Sequence, residues 1–259
     1  MSFYEKCLYL ECQPLKLKVM QINKNTIVGD IVKESYKAAP VLENHNIDFC
    51  CGGHISLNEA CANASVEVTE LIPRLEEVMQ DEDFDARFIQ SLELDQLSDY
   101  IEKRHHSYVK EKIPFLKAKL EKLCAAHGGN HPELYDVAQM FEESAGNLSS
   151  HLMKEELVLF PQVRKLAKAK RGDKVDLGQL EGVDSPINVM LAEHDAEGGR
   201  FKTISEVTNG YRTPDDGCNT YEVTMRTLQE FEEDLHRHIH LENNILFPGA
   251  LKLEEELGA

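Results

Sequence analysis

The sequence predicts an all-α protein, an antiparallel four-helix bundle preceded by a small helical module that carries a cysteine pair. Three observations predict it. From about residue 92 onward, apolar residues recur at helical spacing in four long runs separated by modest loops. Upstream, short apolar runs with capping residues surround Cys50-Cys51-Gly52-Gly53. One block also occurs twice: His151-Leu-Met-Lys-Glu155 followed by Val158, Leu159, Phe160 and Pro161, and His238-Ile-His-Leu-Glu242 followed by Ile245, Leu246, Phe247 and Pro248.

Residues 1 to 25 mix apolar and charged positions without a period and read as a tail or short extended segment. Thr26 is placed to cap a short helix carrying Ile27, Ile31, Val32 and Tyr36, which Ala39-Pro40 interrupts. A second short helix through Val41 and Leu42 leads to the glycine turn at Gly52-Gly53-His54. Ser56 then caps Leu57 to Ala62, and another helix runs from about Val66 to Met79. Gln80-Asp-Glu-Asp-Phe-Asp-Ala86 is acidic and lacks an apolar stripe, so the boundary between a module over 1–80 and a bundle over 92–259 falls there.

The first bundle helix is expected from about Leu92 to Ala126, with Leu94, Leu97, Ile101, Tyr108, Leu116, Leu120 and Leu123 in register and a kink at Pro114. His127-Gly-Gly-Asn-His-Pro132 turns the chain into a second helix from Glu133 to about Ala167. The loop Lys170 to Asp184 is long enough to cross the bundle end. Ser185-Pro186 is a helix start, a capping residue followed by proline, and the third helix carries Ile187, Met190, Leu191, Phe201 and Ile204, with His194 in the same stripe. Asn209 to Gly217 leads to the fourth helix, about Asn219 to Leu253. Four such helices pack most economically as an antiparallel bundle.

In each repeated block a Glu follows a His by four residues, which on a helix is about 400° of turn and about 6 Å of rise, so the two project from one face. That face also carries Leu148, Val158 and Leu159 in one copy and Leu235, Ile245 and Leu246 in the other, so each pair lies in a stripe that the helix buries. Two buried carboxylates on facing helices repel unless a cation lies between them. The bundle offers His105 or His106 on its first helix, His151 and Glu155 on the second, His194 on the third, and His238 and Glu242 on the fourth. Four imidazoles and two bridging carboxylates would supply about eight bonds to two octahedral iron or manganese ions, which have about twelve positions; a bridging oxygen takes two more.

These residues carry a resemblance to the iron–sulfur cluster repair di-iron proteins, the repair of iron centres family. The N-terminal part resembles that family's cysteine domain through Asp48-Phe49-Cys50-Cys51-Gly52-Gly53, and the remainder resembles its hemerythrin-like bundle through Ser149 to Glu156, Glu193-His194-Asp195 and His238 to Pro248. The resemblance covers nearly the whole chain; the long N-terminal extension with Cys7 and Cys12 departs from it. It implies a hemerythrin-like fold and two Fe ions in an oxo- and carboxylate-bridged centre, with ligands His106, His151, Glu155, His194, His238 and Glu242. It also implies repair of iron–sulfur proteins damaged by oxidative or nitrosative stress, by donation of iron. Reduction of nitric oxide, and hemerythrin-like binding or sensing of O₂ or nitric oxide, are the alternatives. On the first helix the two guides diverge: apolar spacing centres His105, whereas alignment with the family favours His106.

Cys50-Cys51 is the candidate reactive pair. Adjacent cysteines join only through a strained, easily reduced ring, which suits a switch or an electron relay, against the alternative of two thiols packed in a small core. His45, His54, His127, His131 and His236 read as surface residues and His240 as facing away from the metal ligands. Glu142, Glu143, Glu232, Glu233 and Asp234 read as solvated. With 28 basic against 46 acidic residues, a net charge of −18, the chain is expected to avoid nucleic acid and anionic membrane and to attract cations. The start Met1-Ser-Phe-Tyr-Glu-Lys-Cys7 lacks a secretory pattern and no run approaches the roughly 20 apolar residues of a membrane span, so a cytoplasmic location is expected. Seven cysteines without a regular framework fit a reducing compartment. A homodimer is left open.

Overall fold

The computed structural model describes residues 20–175 and 182–258; most of the expected N-terminal segment, with Cys7 and Cys12, and part of the loop over 170–184 lie outside the described residues. The bundle is four long rods. The first is α6 (Leu94–Ile101) and α7 (Ser107–His127), the second α8 (Glu133–Lys154) and α9 (Phe160–Lys170), the third α10 (Asp184–Val207), and the fourth α11 (Asn219–Leu241) and α12 (Phe247–Leu257). The start of the first rod packs on the end of the second, α6 on α9, and its end packs on the starts of its neighbours, α7 on α8 and α11. Neighbouring rods are therefore antiparallel. Among the described residues, no helix is long and apolar enough to cross a membrane.

Three rods contain a π-helical turn, Glu102–His106, Glu155–Leu159 and Glu242–Leu246. In each the next helix begins with an amide bonded five residues back: Ser107 to Glu102, Phe160 to Glu155 and Phe247 to Glu242. Such a turn holds one residue more than an α turn, so it rotates everything downstream by about 100° relative to an unbroken 3.6 period. In the second and fourth rods it is followed at once by Phe-Pro, and proline at the start of a helix has no N–H to lose.

The apolar core comes in two parts. One, around Phe141, Phe201, Phe231, Leu120 and Leu228, fills the half of the bundle next to the turns over 127–132 and 209–217 and continues into the N-terminal module; the other, around Leu97, Phe160, Ile187, Leu246 and Phe247, fills the opposite half. Each rod changes from one part to the other at its candidate ligand, as at Ile101, His106 and Val109, or at Met190, His194 and Phe201. A buried polar layer therefore crosses the bundle between two dry halves.

The module is built from α1 (Val28–Glu34), a 3-10 turn Tyr36–Ala38, α2 (Ala39–Glu43), α3 (Leu57–Ala64) and α4 (Val68–Val78). Ser56 caps α3 as the sequence implies, accepting from the Glu59 amide. Thr26 does not cap α1, which starts after Ile27; its hydroxyl instead accepts from the Asn23 amide in the turn before. The acidic junction holds a helix the apolar pattern did not signal, α5 (Phe84–Gln90), because Asp83 supplies the cap, accepting from the Ala86 amide and from the Ser35 hydroxyl. Ser185 likewise lies inside α10 rather than at its cap.

The module docks on the fourth rod through Asn244, whose amide donates to the carbonyls of Phe49 at 3.2 Å and Cys50 at 3.4 Å. His240 lies beneath it, wedged against Tyr36 and Phe49, and His236 bonds Glu43 and meets the Phe49 edge, so both face the module rather than solvent. Gly53 is required by this approach: a Cβ there would lie 2.3 Å from the Phe49 carbonyl oxygen and 3.0 Å from Asn244 Oδ1. Gly53→Ala should destabilise the protein by roughly 1–3 kcal/mol, as overpacking does elsewhere, measured by denaturant unfolding.

Candidate metal centre

Six buried side chains meet in the polar layer: His106, His151, Glu155, His194, His238 and Glu242. Their ligand atoms form two groups, His106, Glu155, His238 and Glu242 in one and His151, Glu155, His194 and Glu242 in the other, so both carboxylates belong to both groups. Glu155 turns Oε2 to His106 Nε2 and Oε1 to His151 Nε2, each at 3.3 Å. Glu242 turns Oε1 to His238 Nε2 at 3.1 Å and Oε2 to His194 Nε2 at 3.2 Å. None of the four carboxylate oxygens completes a hydrogen bond, and neither does Nε2 of His106 or His238.

The outer ring nitrogens explain the arrangement. Nδ1 of His106 is 2.8 Å from Glu156, that of His151 2.9 Å from Glu193, and that of His194 2.7 Å from Asn243 Oδ1. Carboxylate and amide oxygens only accept, so these rings donate from Nδ1, and when neutral each carries a bare lone pair on Nε2. Lys110 pairs with Glu156 and Lys154 with Glu193, which keeps both carboxylates charged. The Nε2 lone pairs of His151 and His194 then face each other at 3.1 Å beside carboxylate oxygens that have no partner. A layer of electron-pair donors without protons is stable only around cations.

The electrostatics agree. Burial disfavours a proton on His151, yet Glu155, Glu242 and Glu193 raise it to about 9. His106 is raised against its burial by Glu155 and Glu242. Burial pushes Glu242 up, but His238 and His194 bring it well below the usual carboxylate range. Positive charge has to enter this layer, as protons or as metal.

Phe160 and Phe247 close the layer. Phe160 stacks on His106 at 5.5 Å between centroids and Phe247 on His194 at 5.9 Å, each reaching from one rod to the imidazole of the preceding rod. His105 is buried beside the site but outside both groups; its Nδ1 bonds Asp234 at 3.1 Å and its ring stacks on His238. Asp234 is thus engaged by His105 rather than solvated. An unbroken period favours His105, whereas the π turn that ends at His106 places both rings inside. Sequence reasoning passed over Glu156, Glu193 and Asn243, which act on the imidazoles. Each sits next to a candidate ligand in the chain, and that adjacency is the signal that could have found them.

Residues 97–250, a span that includes all six side chains, match the family model of the hemerythrin HHE cation binding domain. The chain belongs to this hemerythrin family. Its N-terminal part, residues 24–79, matches ScdA_N, a domain of unknown function (DUF542). Similar curated proteins are matched along nearly their whole length. The iron-sulfur cluster repair protein ScdA of Staphylococcus haemolyticus is 30% identical over 226 residues, 87% of this chain and 98% of that protein. The iron-sulfur cluster repair protein YtfE of Pectobacterium atrosepticum is 32% identical over 227 residues, 88% and 97% respectively. That of Yersinia pseudotuberculosis is 31% identical over 231 residues, 89% and 99%. The hemerythrin-family match and the two His/Glu groups together support metal binding in this layer.

The thiols Cys50 and Cys51 are free and lie outside this layer, on the module loop held against the fourth rod. Asn243 joins the two places: its Oδ1 accepts from His194 and its Nδ2 donates to the Cys50 carbonyl at 3.2 Å.

Two outcomes follow from the geometry. His106→Ala should lose at least one metal equivalent while His105→Ala retains the full complement, measured by metal analysis of the purified variants. The metal-free layer also holds a proton on His151 up to about pH 9, so metal loading at neutral pH should expel it, and the release should fall as pH rises through about 9; calorimetry in two buffers of different ionisation enthalpy measures this.

Proposed function

We propose that the chain holds two iron ions, one by His106 and His238 and the other by His151 and His194, with Glu155 and Glu242 spanning both, and that it supplies iron to damaged iron–sulfur clusters. The observation that carries this reading is the pair of ligand groups sharing both carboxylates. A donor set of imidazole and carboxylate suits iron, and a carboxylate that presents one oxygen to each group suits a pair of ions. Bound there, the iron pair would supply redox chemistry and exchangeable metal. The names of the relatives, iron-sulfur cluster repair proteins matched along nearly their whole length, support repair as the task.

The protein's own residues do the rest. Glu156, Glu193 and Asn243 hold three of the four imidazoles, His106, His151 and His194, in one tautomer with Nε2 free, which raises their basicity as ligands and fixes their direction. Phe160 and Phe247 keep water from the imidazole faces. Each group contains two imidazoles and two shared carboxylates, fewer donors than an octahedral ion takes. That incompleteness suits an ion that must leave, and it argues against a storage site that saturates its metal. Clients would be proteins with oxidised or nitrosylated clusters, in keeping with an acidic chain that has no nucleic-acid-binding charge pattern.

The test is direct. Iron-loaded protein is incubated with a cluster-dependent dehydratase inactivated by peroxide or nitric oxide, in the presence of a chelator that captures free iron. Activity should return with the loaded protein and stay absent with an equal amount of free iron; recovery at the free-iron rate alone would overturn the proposal.

A further inference from the structure

The thiol loop carries a second set of metal-ligand atoms, independent of the bundle. Asp48, Cys50 and Cys51 present a carboxylate oxygen and two sulfurs that all lie within 4.8 Å of one another. The sulfurs are 3.8 Å apart, too far for a bond and close to the edge of about 3.8 Å that two thiolates span on one tetrahedral ion with metal–sulfur bonds of about 2.3 Å. The carboxylate is held in place: Asp48 Oδ1 accepts from the backbone amides of Cys50 and Cys51, each at 2.9 Å, and lies 3.3 Å from the Cys50 sulfur. The glycines that follow let the loop close this tightly.

The surroundings favour a cation. The three groups line a cavity of about 640 Å³ between the module and the bundle. Its walls carry the carboxylates of Glu43, Asp48, Asp195, Glu206, Glu232 and Glu233 against Lys202 and His236. Burial raises Glu232 and Glu233 above the usual carboxylate range, so these groups gain by an incoming positive charge. Hydrogen bonding to Cys51, burial and the charges of Cys51 and Asp48 push the Cys50 thiol well above its ordinary value. Without a cation the Cys50 sulfur stays protonated.

We propose that Asp48, Cys50 and Cys51 form a third metal site, for a thiophilic divalent cation, with its remaining position open to the cavity. On binding, two S–H protons leave to solvent as two sulfur–metal bonds form, and no electrons are transferred. The occupant in function is Fe²⁺ in transit, an assignment that rests on the reading of iron donation above, whereas the site itself does not. The path is short: Asn243 links the Cys50 carbonyl to His194, and the Cys51 sulfur lies 3.5 Å from where a Cβ on Gly198 would be, one turn along α10 from His194. At this point α10 therefore lies directly against the thiol loop.

The experiment uses the full-length, iron-loaded protein and Cd²⁺ as probe. Titration should give thiolate-to-cadmium charge-transfer absorption that saturates at one equivalent while the absorption of the iron centre stays constant. Asp48→Asn should weaken Cd²⁺ binding at least tenfold, and Cys218→Ser should leave it unchanged. Cys50→Ser with Cys51→Ser should abolish the band, and retained iron absorption in that variant shows that it is folded. The band's absence from the wild-type protein, its persistence in the double variant, or equal affinity in Asp48→Asn would overturn the site. Fe²⁺ added without oxygen to cadmium-free protein should give thiolate-to-iron charge-transfer absorption that the Cys50→Ser, Cys51→Ser variant lacks; its absence from the wild-type protein overturns iron as the occupant. A protein that binds Cd²⁺ at these thiols but does not reactivate a damaged dehydratase would keep this site and remove the repair reading instead.

Discussion

Two carboxylates, each shared between two ligand groups in a dry layer, are the constraint on which the rest of the bundle depends. Glu155 and Glu242 are fully buried and have no hydrogen-bond partner for either oxygen, an arrangement that would cost several kcal/mol per group without compensating positive charge. Everything around them serves that requirement. Apolar packing above and below fixes the rods, two phenylalanines seal the imidazole faces, and outer acceptors turn the nitrogen lone pairs inward. The stability of the layer and its affinity for metal are therefore one quantity.

Much of this was legible in the chain because the repeated His-x-x-x-Glu block states spacing, burial and donor type together. The four rods follow from a 3.6-residue period, and Ser56 follows from capping chemistry. What periodicity could not convey is the change of phase at the π turns, since an inserted residue leaves no compositional mark; hence the pull towards His105. The helix Phe84–Gln90 was hidden for another reason. Two of its apolar residues, Phe84 and Phe88, are exposed, so no stripe announces it, and its start depends on Asp83 reaching a serine far away in sequence. Glu156, Glu193 and Asn243 were hidden because an outer acceptor looks like any polar surface residue until the ring it holds is located.

The two halves of the bundle are near copies. In both, the residue after the shared Glu bonds Nδ1 of the imidazole on the preceding rod: Glu156 holds His106, and Asn243 holds His194. In both, the Phe that follows the π turn stacks on that same imidazole. The copies differ in what stands behind. Glu156 is braced by Lys110 from the bundle itself, whereas Asn243, uncharged and able to donate as well as accept, reaches the Cys50 carbonyl of the module. A carboxylate at that position could hold the ring but would repel a carbonyl oxygen. The amide in place of an acid ties this half of the centre to the thiol loop.

The division of ligands between rods has a mechanical consequence. Each group takes side chains from the first two rods and from the last two, so an ion in either group clasps the two helical hairpins together much as a covalent cross-link would. Such a clasp stabilises the folded bundle by its binding free energy and acts only while the ion is in place. Under the proposed pair of ions, the departure of one would leave the hairpins joined by the other, so the bundle would surrender half its metal and be refilled from a state that still has its shape.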